Sequence, residues 1–354
     1  MIPLSSIIDK ADRGERLSLR DAMRLYREAD LLLLGQLAHT VRLRHNPDPF
    51  VTYAVDRNIN YTNICTSGCR FCAFYRGKNH QDAYVLDDAT LVKKLEETRA
   101  LGGTQVLFQG GLNPDLSLQW HMKRVRLIRS HGLHVHGYSP PEIIFMATRA
   151  GITVEAVLRR LIDAGLGSIP GGGAEILVDR VRREVSPGKG TAQDWLKVME
   201  TAHRLGLKTS ATMMFGHVET VKERLVHLIR LRNLQDRTQG FTAFIPWPYQ
   251  PGKTTLNAKV TGGAAYLRML AISRIVLDNF PHVQASWVTQ GPEVGQIALH
   301  FGADDLGSTM IEENVVAAVG VSHRMNQSEM VRLIEAAGFV AHQRDTLYRR
   351  VGNP

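Results

Sequence analysis

From Val51 onward, short apolar stretches ending in glycine, proline or polar residues alternate with amphipathic stretches for about 200 residues, and few folds accommodate that rhythm. The expected strands are 58–64, 105–108, 134–138, 167–169, 209–215, 241–245 and 285–288. Between them lies helix punctuation. Thr153 is placed to cap a helix that stops at Gly165, Thr191 with Asp194 starts one that stops at Gly206, and Asp87 or Asp88 opens one ending at Gly102 and Gly103. Such alternation implies a parallel sheet, and the expected closure is an α/β barrel of the (β/α)8 TIM type. An open doubly wound sheet is the alternative, but no G-x-G-x-x-G turn follows the first strand. The expected organisation is one domain: an N-terminal helical extension over 1–50, the barrel over 51–310, and a C-terminal helical extension over 311–354 packed on the barrel.

Chemistry on such barrels sits at the C-terminal ends of the strands. Those ends are rich in glycine and polar residues. Gln109, Gly110, Gly111 and Asn113 follow the second strand, Ser139 and Glu142 the third, and Gly171, Gly172, Gly173 and Glu175 the fourth. His217 and Glu219 follow the fifth, Trp247 and Tyr249 the sixth, with Gln290 and Asp304 later.

All three cysteines, Cys65, Cys69 and Cys72, fall in one segment, CTSGCRFCAFY, after the first expected strand. A disulfide there is unfavourable, since neighbouring loop cysteines strain the bond and one is left over. A Cys3His zinc site using His80 is open, although no second C-x2-C half follows. The third reading is a cubane [4Fe–4S] cluster. Three thiolates then hold three irons, and the fourth, without a protein ligand, is free to take an exogenous molecule.

The formal net charge of +9 raises nucleic-acid binding as a question. The basic residues are dispersed on helical stretches, with no polybasic block and no RNA-binding module, so no nucleic-acid partner is expected. A mildly positive field suits an anionic small-molecule substrate. No apolar run approaches the ~20 residues of a membrane span, and no basic-then-apolar leader opens the sequence. Thiolates without disulfide partners fit a reducing cytoplasm.

A proton acceptor is expected at His217, whose ordinary pKa near 6.5 suits the task, against the alternative of a packed histidine. His217 and Glu219 are expected on opposite faces of an extended segment. Glu142 and Glu219 would need a raised pKa to act as bases and otherwise accept substrate hydroxyls. Trp247 and Tyr249 either wall an aromatic pocket or close the rim. Asn113, Gln290 and Asp304 complete the substrate candidates. His134 and His136 are read as one facing the barrel and one a helix, with no third ligand for a metal.

The C-x3-C-x2-C spacing, with Phe71 before the last cysteine, resembles the signature of radical S-adenosylmethionine (SAM) enzymes. Longer stretches are similar to the menaquinone-pathway radical SAM enzymes that handle futalosine derivatives: DRNINYTNIC, GGTQVLFQGGLNPDL, SPPEI, SIPGGGAEILVDRVRREVSP, AHRLGLKTSATMMFGHVET, GFTAFIPWPYQP and GADDLGSTM, spanning residues 56–310. NPDL, SPPEI and PWPYQP favour the dehypoxanthine futalosine cyclases over the related aminofutalosine synthases and the deazaflavin (FO) synthase halves.

The resemblance implies a radical SAM barrel with a [4Fe–4S] cluster on Cys65, Cys69 and Cys72 and SAM chelated at the open iron. Gly110 and Gly111 would approach the SAM amino group and Glu175 the ribose hydroxyls. Arg180, or Arg183, would meet the carboxylate, and Phe71, Gln109 and Ser139 would line the cofactor. It implies reductive cleavage of SAM to methionine and a 5′-deoxyadenosyl radical, which removes hydrogen from ribose C4′ of dehypoxanthine futalosine. The sugar radical then attacks the benzoate ring of the same molecule, and loss of a proton and an electron restores aromaticity. An electron donor such as flavodoxin or ferredoxin is the implied partner.

Overall fold

The computed structural model describes residues 3–321 and 323–352. Among the described residues there are ten strands. β1 (Phe50–Ala54) and β2 (Asp56–Asn60) are separated only by Val55; β3 (Gln105–Gln109), β4 (His134–Gly137), β5 (Leu166–Ile169), β6 (Lys208–Phe215), β7 (Phe241–Pro248) and β8 (His282–Val283) follow. β9 (Asp305–Ser308) and β10 (Val340–Gln343) come last. β2 to β8 lie side by side in chain order, every neighbour parallel. β1 pairs in parallel with β9 on one side and β10 on the other.

Backbone hydrogen bonds close the ring. The amide of Ala285 donates to Asp305 O (2.9 Å), Ile311 N to Asp56 O (3.1 Å) and Asn58 N to Glu312 O (3.3 Å), so β9 and the residues after it bridge β8 back to β2. The result is the expected α/β barrel. Its strands are buried on both faces, as parallel strands under helices are, with Val106, Phe108, Val135, Ile169, Ala211 and Met213 fully enclosed.

The helix punctuation works as the residues suggest. The Thr153 side chain accepts from Ala156 N and the helix Val154–Ala164 ends at Gly165 with φ 111°. Thr191 and Asp194 form a reciprocal capping box at Ala192–Arg204, and Asp87 caps Asp88–Ala100. Residues before β1 form three helices, Leu4–Asp12, Leu19–Glu28 and Leu31–His45. The third packs closely enough that a Cβ on Gly35 would stand 2.9 Å from the Phe301 ring. Among the described residues no helix is long and apolar enough to cross a membrane.

Three expectations change. The first barrel strand runs Asp56–Asn60, not 58–64, because residues beyond Asn60 leave the ladder to serve the cysteine loop, with Thr62 bridged to Val85 and Ile64 to Arg76. The stretch 285–288 is not a strand: β8 precedes it and Trp287–Gln290 is a short helix. There the Ser286 amide bonds the Tyr266 hydroxyl (2.7 Å) instead of a neighbouring strand. Third, the floor of the barrel, at the N-terminal ends of its strands, is filled from far along the chain. Arg344 pairs with Asp305 (2.5 and 2.9 Å), Thr346 bonds Gln105, and Tyr348 stacks on His282 with centroids 3.8 Å apart.

Candidate active site

Two cavities meet inside this frame. One, of about 320 Å3, runs through the barrel from Asp56, Gln105 and Arg344 at the floor; the other, of about 220 Å3, opens at the C-terminal ends of β2 to β5. Gln109, Gly172, Thr212, Trp247 and Val315 line both, so the spaces share a wall.

All three cysteines line the smaller cavity, with Phe71, Gly110, Gly111, Ser139, Glu142 and Glu175. Their loop is anchored at its base. Thr62 Oγ1 donates to Tyr84 O (2.6 Å), and the Asn63 side chain donates to Asp82 O (2.8 Å) and accepts from Tyr84 N (2.9 Å). Amides of Leu112 (3.3 Å) and Ser67 (3.5 Å) point at Cys65 Sγ, and Ser67 Oγ lies 3.2 Å from Cys69 Sγ. Burial pushes the Cys69 thiol up, with the Lys189 ammonium and the Ser67 hydroxyl working the other way. His80 is exposed, accepts from Asp82 N through Nδ1 (3.1 Å) and does not line this cavity, so no Cys3His set forms.

The two glycines after β3 line this cavity, and the chain's own packing also requires them. A Cβ on Gly110 would lie 2.6 Å from the Tyr61 ring, and one on Gly111 only 2.2 Å from Ile64 O and 2.8 Å from Cys65 Cβ. Their neighbours are the protein's own cysteine loop and strand.

Glu142 is a brace. It accepts from Ser139 N (2.7 Å), Ser139 Oγ (2.6 Å), Tyr61 Oη (2.6 Å) and Gly110 N (3.1 Å), joining the ends of three strands at the cavity rim. Burial raises its pKa despite those donors, but its oxygens are occupied. Glu175, held at φ 41°, differs: Oε1 takes the Lys189 ammonium at 2.8 Å, while the buried Oε2 has no partner.

Lys189 escaped the sequence reading, although its PGKG turn was a visible signal; its ammonium also lies 5.0 Å over the Phe71 ring. Arg182 escaped too. Fully buried, it donates to the carbonyls of Gly173, Ala174, Lys189 and Gly190 and so holds both loops. Its neighbour Arg180 faces away, bound to Glu223 (2.7 Å), Glu184 (3.2 Å) and Val218 O.

Other expected residues prove to be structural. His217 and Glu219 touch each other (3.1 Å) with both side chains fully buried, because β6 ends at Phe215 and Gly216, at φ 91°, turns the chain out of its extended course. His217 Nε2–H donates to Met214 O (3.0 Å), and burial lowers its pKa even beside Glu219. Burial works to raise the pKa of Glu219, but His217, Arg224 and the amides of Gly216 and His217 bring it below the ordinary value. Neither residue lines either of these two cavities, so His217 is not placed to act as the base there. Asn113 closes a turn on Asp115 N, and Gln290 bonds Thr261 O (3.3 Å). The Tyr249 hydroxyl is taken by Thr254 and Leu256 O. Asp304 is bound by Arg274, His282 (2.5 Å), Asn46 (3.0 Å) and Val283 N (2.8 Å). Of the expected substrate residues only Trp247 faces the cavities.

The barrel interior instead presents Asn58, Gln105, Gln109, His136, Thr212, Thr242 and Gln284. Polar residues at every second position of otherwise apolar strands were the available signal. His134 and His136 likewise share one face, both within hydrogen-bond distance of Ser168 Oγ.

The profile of the Radical SAM superfamily matches residues 59–231, and that of the CofH/MqnC C-terminal region matches residues 238–354. Cyclic dehypoxanthine futalosine synthase of Halalkalibacterium halodurans is 44% identical over 98% of this chain and 94% of its own length. The chain belongs to the radical SAM family of cyclic dehypoxanthine futalosine synthases. The enzyme of that name from Streptomyces coelicolor is 43% identical over 98% of this chain and 89% of its own length. Among solved structures, the FeFe-hydrogenase maturase HydG from Carboxydothermus hydrogenoformans superposes with a TM-score of 0.77 at 18% identity, covering 98% of this chain and 80% of HydG, a likeness of fold.

Radical SAM enzymes use a [4Fe–4S] cluster and SAM, and the residues present fit both. Three sulfurs line one cavity with no fourth ligand of the Cys3His kind beside them, and the orphaned Glu175 Oε2 offers an acceptor at its edge.

Proposed function

We propose that this chain converts dehypoxanthine futalosine to its cyclic form, a step of menaquinone synthesis. The observation that carries the reading is the passage between the two cavities: a cysteine-lined space opens, past Gln109, Gly172, Thr212 and Trp247, into a barrel interior lined by amides and hydroxyls. Cys65, Cys69 and Cys72 would hold three irons of the cluster, with SAM beside Gly172 and Glu175. Once bound, these groups would supply the radical chemistry that removes hydrogen from the substrate ribose.

The chain's own residues then bind, orient and exclude water. Glu175 Oε2 would accept from the SAM ribose. Asn58, Gln105, Thr212, Thr242 and Gln284 offer donors and acceptors to a sugar, while Trp247 and Trp287 offer flat apolar walls to an aryl ring. A volume of about 320 Å3 lies in the range of small-molecule sites and leaves little room for bulk water around a radical. The reductant in this reading is a flavodoxin or ferredoxin, and the compartment is the cytoplasm.

Anaerobic reconstitution with iron, sulfide, SAM, reductant and dehypoxanthine futalosine tests it by mass spectrometry. The expected products are free 5′-deoxyadenosine and a compound two hydrogens lighter than the substrate. An adenosyl adduct with no free 5′-deoxyadenosine would instead mark an aminofutalosine synthase.

A further inference from the structure

The ring that the sugar radical attacks must lose a proton, and His217 does not reach the cavity. His136 does. Its Nδ1 lies 2.6 Å from Ser168 Oγ, and the same oxygen lies 2.7 Å from His134 Nε2. Ser168 is 1% exposed, so this hydroxyl has only the two imidazoles to serve. The register of β4 on β5 shifts between Val135 and His136, which sets Ser168 opposite His136. Gly167 leaves room for the second ring, since a Cβ there would stand 2.3 Å from His134 Cε1.

One hydroxyl proton fixes a direction. If His136 Nδ1–H donates to Ser168 Oγ, then Oγ–H donates to His134 Nε2, and His136 Nε2 is left as a lone pair for the cavity. Burial keeps both imidazoles neutral, with pKa values lowered to about 3 for His136, where His134 and Arg344 add to the effect, and about 4 for His134, where Arg129 and Arg349 oppose Asp345. A neutral ring accepts a proton but retains it poorly, so a path onward matters. His134 is half-buried at the start of β4, at the floor beside Asp345.

We propose that His136 is the base that takes the proton of the attacked ring carbon, and that Ser168 and His134 carry it out of the barrel. This rests on the cyclase reading above. The C–H bond of the attacked carbon breaks, and its proton goes to His136 Nε2. The bond's electron pair enters the ring, and the one surplus electron passes to the oxidised iron–sulfur cluster as one-electron acceptor. As Nε2 gains its proton, Nδ1–H passes to Ser168 Oγ and Oγ–H to His134 Nε2, so the charge ends on His134.

The test compares wild type with His136→Gln, Ser168→Ala and His134→Gln, each reconstituted and checked for iron content and SAM binding. The readout is cyclised product per 5′-deoxyadenosine, because hydrogen abstraction precedes deprotonation. We expect that ratio to fall at least about tenfold in His136→Gln and Ser168→Ala, and severalfold in His134→Gln, which does not line the cavity. An unchanged ratio in a folded, cluster-loaded His136→Gln or Ser168→Ala protein overturns the relay. Equal losses of product and 5′-deoxyadenosine also overturn it, since they mark positioning only. Selective 15N-histidine NMR tests the relay without substrate or turnover: Nδ1-protonated His136 that responds to Ser168→Ala supports it, and Nε2-protonated His136 overturns it. Failure of the cyclase reading itself would show separately, as wild-type enzyme that leaves dehypoxanthine futalosine uncyclised.

Discussion

Replacing Cys65, Cys69 or Cys72 by Ala removes a thiolate that no other residue in the chain can supply. Each variant is expected to lose most of its iron on anaerobic reconstitution and to make no 5′-deoxyadenosine, measured by iron assay and chromatography. Glu175→Gln is expected to keep its cluster and bind SAM about tenfold more weakly by calorimetry, the scale of one charge-assisted hydrogen bond. The cysteines were readable because a ligand triad on one loop is written directly in spacing. His217, Asp304, Tyr249 and Asn113 were misplaced for a common reason. Residue type and strand end are visible in a sequence, but a polar atom already engaged by Met214 O, Arg274, Thr254 or Asp115 N is not. Arg180 and Arg182 show how fine the distinction is: one helix, two positions apart, and only the second turns inward.

Between elements, close approach decides more than propensity. Gly111→Ala would drive a Cβ against Ile64 O and the Cys65 side chain, so it is expected to cost about 1–3 kcal/mol in denaturant unfolding and to lower iron uptake together. The pairing of helix Asp179–Val185 with helix Val221–Thr238 through Arg180 and Glu223 should be visible in pH. The Arg180 hydrogen bond brings the Glu223 pKa down to about 2, so its stabilisation is complete above the ordinary glutamate value near 4.3 and fades as pH falls toward 2. Glu223→Gln is expected to flatten that part of the stability–pH curve, read from thermal melts between pH 2 and 5. Helix ends were legible because Thr153, Thr191 and Asp87 act within one turn of themselves. That 285–288 is not a strand was not legible, because Tyr266, some twenty residues away, decides where the Ser286 amide goes.

At the scale of the whole molecule, alternation of strands and helices was enough to foresee a barrel but not its floor. That floor depends on Arg344, Thr346 and Tyr348 returning to Asp305, Gln105 and His282, contacts with no local trace in the sequence. Arg344→Met should leave Asp305 buried without its cation and destabilise the protein by about 3–5 kcal/mol in urea unfolding. Asp305→Asn added to Arg344→Met should recover part of that loss, as a double-mutant cycle would report. The same closure has a consequence in time. A ribosome delivers Asp305, the carboxylate that Arg344 pairs, about 39 positions before Arg344 itself, a lag of roughly 2 to 8 s at usual elongation rates. Throughout it the nascent barrel holds acidic side chains around an unplugged bore. Chaperones and proteases therefore meet an open tube, and only later synthesis makes a vessel fit to confine a radical.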